Sequence, residues 1–239
     1  MIGTIINFFT ILLGGGLGNL MGNRIPERIR STVVSGLGLF TLAYGVSMFL
    51  DSRNILLVCG SVLIGGLLGE WWRIEEGLAK LGGWLQEKFI KSDADADADE
   101  GRFIKGFVMA SLVFCIGPMA ILGSIQDGLT GDYNMLAVKS VLDGFAALAF
   151  ASSLGVGVMF SSVMVFIYQG AISLMATQVQ AIVTEPMMLE MNAVGGVIVM
   201  GIGVSSLLEL RKIRIGSFLP ALIVAPLLVG LLGLLGVSF

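Results

Sequence analysis

Long apolar stretches recur along the whole chain, and they are the feature that most limits its fold. Ile2 to Gly22 is apolar over about the twenty residues that an α-helix needs to cross roughly 30 Å of hydrocarbon. Seven further stretches of similar length follow, at about 32–50, 55–72, 103–123, 134–154, 156–177, 192–210 and 217–236. The sequence therefore predicts an all-α, polytopic helical bundle in a membrane, with eight spans. A count of seven also fits, because almost no linker separates the fifth and sixth stretches.

The composition is typical of a chain immersed in lipid. Hydrophobic residues make up 56% of it and charged residues 13%, about half the charged share of a soluble domain. The 34 glycines fit a packed helical bundle, because Gly lets membrane helices approach closely. An outer-membrane barrel would instead alternate polar and apolar residues in segments of about ten, a pattern that this sequence lacks.

Basic residues are segregated along the chain in a way that predicts its orientation. Twelve of the 14 Lys and Arg residues lie in the three connections that eight alternating spans place on one side of the membrane. These residues are Arg24, Arg28, Arg30, Arg73, Lys80, Lys88, Lys91, Arg102, Lys105, Arg211, Lys212 and Arg214. The opposite connections hold Arg53 alone, together with Asp127, Asp132, Glu185 and Glu190. By the positive-inside rule the basic side is cytoplasmic, so we expect both termini outside the cytoplasm.

The connection after the third span divides the chain into three predicted regions. Apolar residues recur there at helical spacing between charged ones, at Ile74, Leu78, Leu81, Leu85 and Phe89. This pattern predicts an amphipathic helix on the cytoplasmic surface at about 73–88, which with spans one to three forms region 1–90. The Asp- and Ala-rich run that follows predicts a disordered acidic cytoplasmic linker at 91–102. Spans four to eight form region 103–239.

Two internal similarities suggest a repeat, and they compete. Arg30–Leu37, at the start of span two, resembles Lys139–Phe145, at the start of span five. That match predicts a 3+3 inverted repeat of spans one to three and four to six, followed by two C-terminal spans, an arrangement common in transporters. Leu67–Ile74 also resembles Leu207–Ile213, which would pair spans three and seven instead. Either match is short enough to arise by chance.

Short motifs give the chain a family resemblance. They include Gly14-Gly15-Gly16-Leu17-Gly18-Asn19, Leu67-Leu68-Gly69-Glu70-Trp71 and Lys139-Ser140-Val141-Leu142-Asp143-Gly144-Phe145, with parts of 184–196 and 218–222. Through them the chain resembles the YqgA/YdfK-like proteins, a bacterial membrane family of unknown function. The resemblance covers nearly the whole chain except the acidic linker. It implies a multi-pass protein of the bacterial plasma (inner) membrane and implies no particular substrate.

Lys139 and Asp143 are the strongest candidates for functional residues. They stand four apart in span five with Ser140 between them, so both side chains share one helix face and can pair. Ionisable residues inside a span are costly unless they are paired or face water, and they commonly mark a transport pathway. The alternative is that span five starts later, which would leave Lys139 extended toward the outer interface.

The other candidates are a helix break and scattered polar residues. Gly117-Pro118 lies within span four and predicts a kink or break, which either serves helix packing alone or frees backbone groups to bind an ion. The polar segment after it contains Gln126 and Asp127. Asn7, Asn19 and Gln169 lie in apolar spans and are either interhelical hydrogen-bonding residues or pathway residues. Gly14, Gly18 and Gly22 form one smooth helix face, which predicts a packing seam.

These candidates lead to two functional hypotheses. The first is a transporter or channel for a small polar or charged solute or ion, and the alternative is a non-transporting membrane scaffold or sensor. We predict no enzymatic activity, because the chain has no His and hence no usual general base or Ser-His-Asp triad. We also predict no metal, no cofactor and no nucleic-acid partner. The predicted partners are the lipid bilayer and the solute, and Gly-lined faces leave homo-oligomer formation open.

Overall fold

The computed structural model describes residues 1–22, 26–89 and 96–235, and every regular element in these ranges is helical. The helices are α1 (Ile2–Gly22), α2 (Glu27–Leu50), α3 (Ile55–Trp71), α4 (Ile74–Phe89), α5 (Ala96–Cys115), α6 (Pro118–Leu129), α7 (Asn134–Leu154), α8 (Gly157–Leu174), α9 (Ala176–Ile182), α10 (Glu185–Ile202) and α11 (Ala221–Leu234). A π-helical turn, Gly203–Leu207, continues α10, and a 3₁₀ turn, Ile215–Phe218, precedes α11. The predicted all-α fold is confirmed.

The number of candidate spans agrees with the sequence. Among the described residues, six helical segments are long and apolar enough to cross a membrane, and two bent pairs raise the number to eight. One pair is α3 and α4, bent by 58° at Arg73, whose φ is 53°. Here α4 coincides with the predicted amphipathic helix. The chain is therefore a membrane protein with several apolar helices.

The second bent pair lies at the predicted break in span four. α5 and α6 meet at Gly117-Pro118 and are bent by 64°. Gly117 has a φ of 127°, a conformation that residues with a Cβ rarely adopt, and Pro118 is the first residue of α6, where a missing N–H costs nothing. α5 begins at Ala96, so residues 96–102, which the sequence assigned to a disordered linker, are helical. Residues 91–95 of that linker lie outside the described residues.

Two further boundaries differ from those predicted. α10 begins at Glu185, and the acidic residues expected in a connection before span seven therefore lie within the helix. The reason is local, because Thr184 caps the helix, accepting the Met187 N–H, and Pro186 occupies the first turn. The sixth predicted span ends early, since α8 stops at Leu174 and the short helix α9 follows.

The first of two compact units comprises the described residues of Met1–Gly36 and Ala79–Val179. Within it, three glycines of α1 meet the backbone of α7, in the same order along both helices. The pairs are Gly14 with Gly144, Gly18 with Leu148, and Gly22 with Ser152. α1 and α7 are thus parallel, and the predicted packing seam is confirmed.

α8 runs in the opposite direction within the same unit. Gly15 of α1 packs on Met159, whereas Asn7, earlier in α1, reaches Gln169, later in α8. The chain therefore reverses between α7 and α8, at Gly155, whose φ is 81°. The fifth and sixth predicted spans are accordingly two separate helices despite the short connection.

The second compact unit comprises Leu37–Leu78 and the described residues of Gln180–Phe239. Its helix contacts are also made through small residues. Gly45 of α2 packs on Gly196 of α10, and Gly65 of α3 packs on Ala221 of α11. Both compact units contain helices from each side of residues 91–102, so they cut across the predicted regions 1–90 and 103–239.

Candidate functional site

The ion pair predicted on α7 is buried in the first unit. The Lys139 ammonium binds the Asp143 carboxylate one helical turn away, and the two side chains are only 8% and 12% exposed. Lys139 therefore points into the helix bundle in this structure, toward α5. Burial of two charges is costly unless further hydrogen bonds compensate for the lost water, so the surrounding groups decide what this pair does.

The nearest of those groups is a backbone carbonyl that the helix break leaves free. In a continuous helix the carbonyl of Phe114 would accept the N–H of residue 118, but Pro118 has no N–H. The Lys139 Nζ donates to this carbonyl over 2.9 Å. The carbonyl lies at the C-terminal end of α5, which carries a partial negative charge and favours cations. The break at Gly117-Pro118 thus creates one wall of the site.

Two amides from α1 and α8 complete the group. The Asn7 Nδ2 donates to Asp143 Oδ2 over 3.0 Å and to Gln169 Oε1 over 3.4 Å. Both Asn7 and Gln169 are fully buried. We call Asn7, the Phe114 carbonyl, Lys139, Asp143 and Gln169 the polar cluster. It draws on four helices, α1, α5, α7 and α8.

The polar cluster is not fully hydrogen-bonded. Among the described residues, Asn7 Oδ1 and Gln169 Nε2 are buried without a partner. Both hydrogen bonds that Asp143 accepts fall on Oδ2. An unsatisfied buried polar group costs about 1–3 kcal/mol, so a bundle selected only for stability would favour apolar residues at these positions. The polar cluster therefore contains one buried acceptor and one buried donor that a further polar group could satisfy.

With this geometry established, the chain can be compared with known proteins. The family described as protein of unknown function (DUF554) matches residues 2–230. The chain belongs to this family. It is 34% identical to the uncharacterized protein YqgA of Escherichia coli K12, over 94% of each chain, and 29% identical to the uncharacterized membrane protein YdfK of Bacillus subtilis 168, over the full length of both. No solved structure matches it.

Membership of DUF554 confirms the family resemblance and leaves the polar cluster as the main guide to function. The name of YdfK describes that relative as a membrane protein, which agrees with the helices of this chain. Neither relative's name states an activity. The role of the site in this family member must therefore be argued from its own residues.

The remaining predicted site residues lie in other settings. Ser140 is buried, but its hydroxyl donates to the Leu136 carbonyl of its own helix over 2.6 Å. Gln126 is exposed. Asn19 lies twelve residues beyond Asn7 on α1, about 18 Å along the helix, so it is remote from the polar cluster. Of the polar side chains that the sequence singled out, Asn7, Lys139, Asp143 and Gln169 come together.

Asp127 is buried near the start of α1 and stabilises that end of the helix. Its carboxylate accepts from the α-amino group of Met1 over 2.8 Å and from the Gly3 N–H over 3.0 Å. A carboxylate at a helix N-terminus satisfies free donors and complements the helix dipole. These contacts support a helix-capping role for Asp127, whose place in the sequence also makes it a pathway candidate.

Sequence reasoning missed two groups with clear roles. The Phe114 carbonyl could have been found, because the residue four places before any proline inside a span loses its usual hydrogen-bond donor. Glu190 is 1% exposed and binds Ser52 Oγ and the Arg53 and Asn54 N–H groups, over 2.7–3.0 Å. The Thr184–Pro186 helix start was the signal that Glu190 lies inside a helix.

Neither missed group adds a conventional metal site. Within the described ranges, no group of three or more Cys, Asp or Glu side chains is arranged to hold a metal ion. The oxygens of the polar cluster belong to one carboxylate, one backbone carbonyl and two amides.

Proposed function

We propose that this protein moves a small polar or charged solute or ion across the membrane, along a pathway that passes the polar cluster of the first unit. The observation that carries the proposal is the buried Lys139–Asp143 pair, next to two amides that each have one atom without a partner. Charged residues inside a span mark ion and substrate pathways because their cost is otherwise hard to explain.

Each member of the pair has a distinct role in this proposal. Asp143 binds the positively charged species, which is a proton, a cation or the cationic group of a solute. Lys139 neutralises Asp143 when that species is absent, so the site never holds an unpaired buried charge. The exposed fraction of Asp143, 12%, is small but not zero.

The helix break supports the same pathway. Transporters commonly bind substrates where two half-helices meet, since the ends of the half-helices present free backbone groups. Here α5 ends and α6 begins at Gly117-Pro118, and the freed Phe114 carbonyl already binds a cationic group.

The proposal is tested with purified protein reconstituted in liposomes. Imposed gradients of sodium, potassium and protons are followed with radioactive sodium, radioactive rubidium and entrapped pyranine, and a mixture of labelled amino acids is tested in parallel. We expect at least one flux above that of protein-free liposomes. Asp143→Asn should lower that flux about tenfold or more, because a hydrogen bond to a charged group contributes about 1.5–3 kcal/mol.

The matched control is Asp132→Asn, the same chemical change at an exposed residue before α7. Its flux should equal that of the wild type. If Asp143→Asn and Asp132→Asn both carry wild-type flux, Asp143 is not in the pathway. If the wild type passes none of these probes, the protein is better described by the alternative, a non-transporting scaffold or sensor.

A further inference from the structure

We propose that the polar cluster is a binding site for a monovalent metal cation, Na⁺ or K⁺, and that the Lys139 ammonium occupies the cation position in this structure. A free cation and the tethered ammonium would then compete for the same oxygens. This inference names the class of ion that the proposed pathway binds, and it rests on the proposed function for the route by which the ion arrives.

The ligands of the Lys139 ammonium are those that a metal cation would use. The ammonium binds the Phe114 carbonyl and the Asp143 carboxylate. Hard cations prefer oxygen ligands of these two kinds, carboxylates and backbone carbonyls. The carbonyl also lies at the negative end of the α5 dipole, which favours any positive charge placed there.

The two amides of the polar cluster carry further oxygens that the ammonium does not use. Asn7 Oδ1 is buried without a partner, and the other atom of the same amide, Nδ2, already donates to Asp143. Gln169 Oε1 accepts from that same Nδ2. An ammonium binds only along its three N–H directions, whereas a metal ion attracts every oxygen around it. Rotation of the Asn7 amide would turn its unpartnered oxygen toward such an ion as a further ligand.

Charge balance requires that the exchange be one for one. If Lys139 left without replacement, the Asp143 carboxylate would remain buried and unpaired, at a cost of several kcal/mol for a charge in this setting. A monovalent cation restores neutrality when it enters. A divalent cation would leave an excess positive charge, because the polar cluster contains one carboxylate and the described residues offer no cluster of acids.

The Lys139 side chain can reach the membrane interface when a cation displaces its ammonium. It is the sixth residue of α7, which begins at Asn134, so its Cα lies about 7.5 Å from the start of the helix. A lysine stem of four carbons near a helix end can extend its ammonium to the membrane interface. The displaced side chain would therefore exchange a buried partner for water, and its amine would become reactive.

The first test measures cation-dependent thermal unfolding of the purified full chain in detergent. The variant Lys139→Met removes the tethered ammonium and keeps an apolar stem. Its Tm in sodium or potassium chloride should exceed its Tm in N-methylglucamine chloride of equal ionic strength by roughly 5 °C, because a ligand that binds the folded state stabilises it. The Lys80→Met control, at an exposed residue of α4, should show no such difference.

Adding Asp143→Asn to Lys139→Met should abolish the difference, since it removes the charge that holds the ion. A folded Lys139→Met whose Tm is the same in all three salts would overturn the inference and leave Lys139 as a fixed structural partner.

The second test uses the wild type and so does not depend on the stability of a variant. Reductive methylation of Lys139, read by mass spectrometry, should rise several-fold when sodium or potassium replaces N-methylglucamine, whereas methylation of Lys80 should stay constant. Equal modification of Lys139 in all salts would contradict competition. Cation-dependent unfolding without any flux in liposomes would retain the binding site and reject transport, so the two proposals fail separately.

Discussion

Asp143 and Glu190 are both buried carboxylates, and their hydrogen bonds separate a functional candidate from a structural one. Glu190 uses both oxygens, accepting from Ser52 on Oε2 and from the Arg53 and Asn54 N–H groups on Oε1. Those donors precede α3, so Glu190 fixes the start of that helix. Asp143 uses one oxygen and lies next to amide atoms without partners. A satisfied carboxylate stabilises the fold, and an incompletely satisfied one can bind a ligand.

At this scale we predict that Glu190 matters for stability. Glu190→Gln replaces one acceptor oxygen with a donor that faces other donors, so the free energy of unfolding should fall by about 1–3 kcal/mol. Thermal unfolding in detergent measures the change. Glu185→Gln is the matched control, because Glu185 is 74% exposed and pairs only with the half-exposed Arg53. Its Tm should match the wild type, and an equal loss in both variants would contradict the assignment.

At the scale of helices, the first unit is organised by close contact between α1 and α7. A Cβ built on Gly18 would lie 2.2 Å from the Leu148 carbonyl oxygen, and the neighbouring glycines of the seam are equally close to α7. Backbones this close bring Asn7 of α1 within hydrogen-bonding distance of Asp143 of α7. The seam therefore positions the polar cluster as well as holding the two helices together.

We predict that the seam tolerates no added carbon. Gly18→Ala should lower the free energy of unfolding by about 1–3 kcal/mol, because the clash is with backbone and cannot be relieved by a side-chain movement. In Gly16→Ala the nearest atom to the new Cβ is the Met159 sulfur at 3.7 Å, so its stability should be unchanged or slightly raised. Chemical or thermal unfolding of the two variants checks this; equal stabilities would contradict the close contact of Gly18 with α7.

At the scale of the whole chain, helix direction and charge distribution support the same topology. Within the first unit α1 is parallel to α7 and antiparallel to α8, and within the second unit α3 is antiparallel to α11, because Gly65 and Gly69 meet Ala221 and Ser217 in reverse order. Within each unit, these helix directions are the ones expected if eight successive spans alternate in direction. If all eight spans alternate, the positive-inside rule predicts that the connections rich in Lys and Arg are cytoplasmic.

This topology predicts which connections are accessible from outside the cell. In a background where Cys59 and Cys115 are replaced by Ser, Asp132→Cys should react with a membrane-impermeant thiol reagent on intact cells. Arg211→Cys should react only after the cells are permeabilised. Both positions are exposed, so the comparison reports the side of the membrane and not burial. Labelling of Arg211→Cys in intact cells would reverse the orientation.

Local features of the fold were predictable because their causes are local. The helical spacing of Lys139 and Asp143, the break at Gly117-Pro118 and the amphipathic helix after Arg73 each follow from neighbouring residues. The predicted start of span seven, at about residue 192, was wrong because it followed hydrophobicity alone. The capping residue Thr184 marks the true start of α10 at Glu185. The composition of the Asp-rich run does not explain why α5 begins within it, at Ala96.

The sequence by itself determined that the chain is a membrane protein with about eight apolar spans and that Lys139 and Asp143 share one helix face. Span length and residue spacing are properties of a continuous segment. Only the tertiary structure decided which helices meet. Asn7 binds Asp143 across 136 residues, and the Phe114 carbonyl binds Lys139 across 25. Lipid solvates every apolar helix face equally well, so hydrophobicity does not select which helices pack together. That selection depends on small-residue packing and on hydrogen bonds between distant segments, and neither can be read from one stretch of sequence.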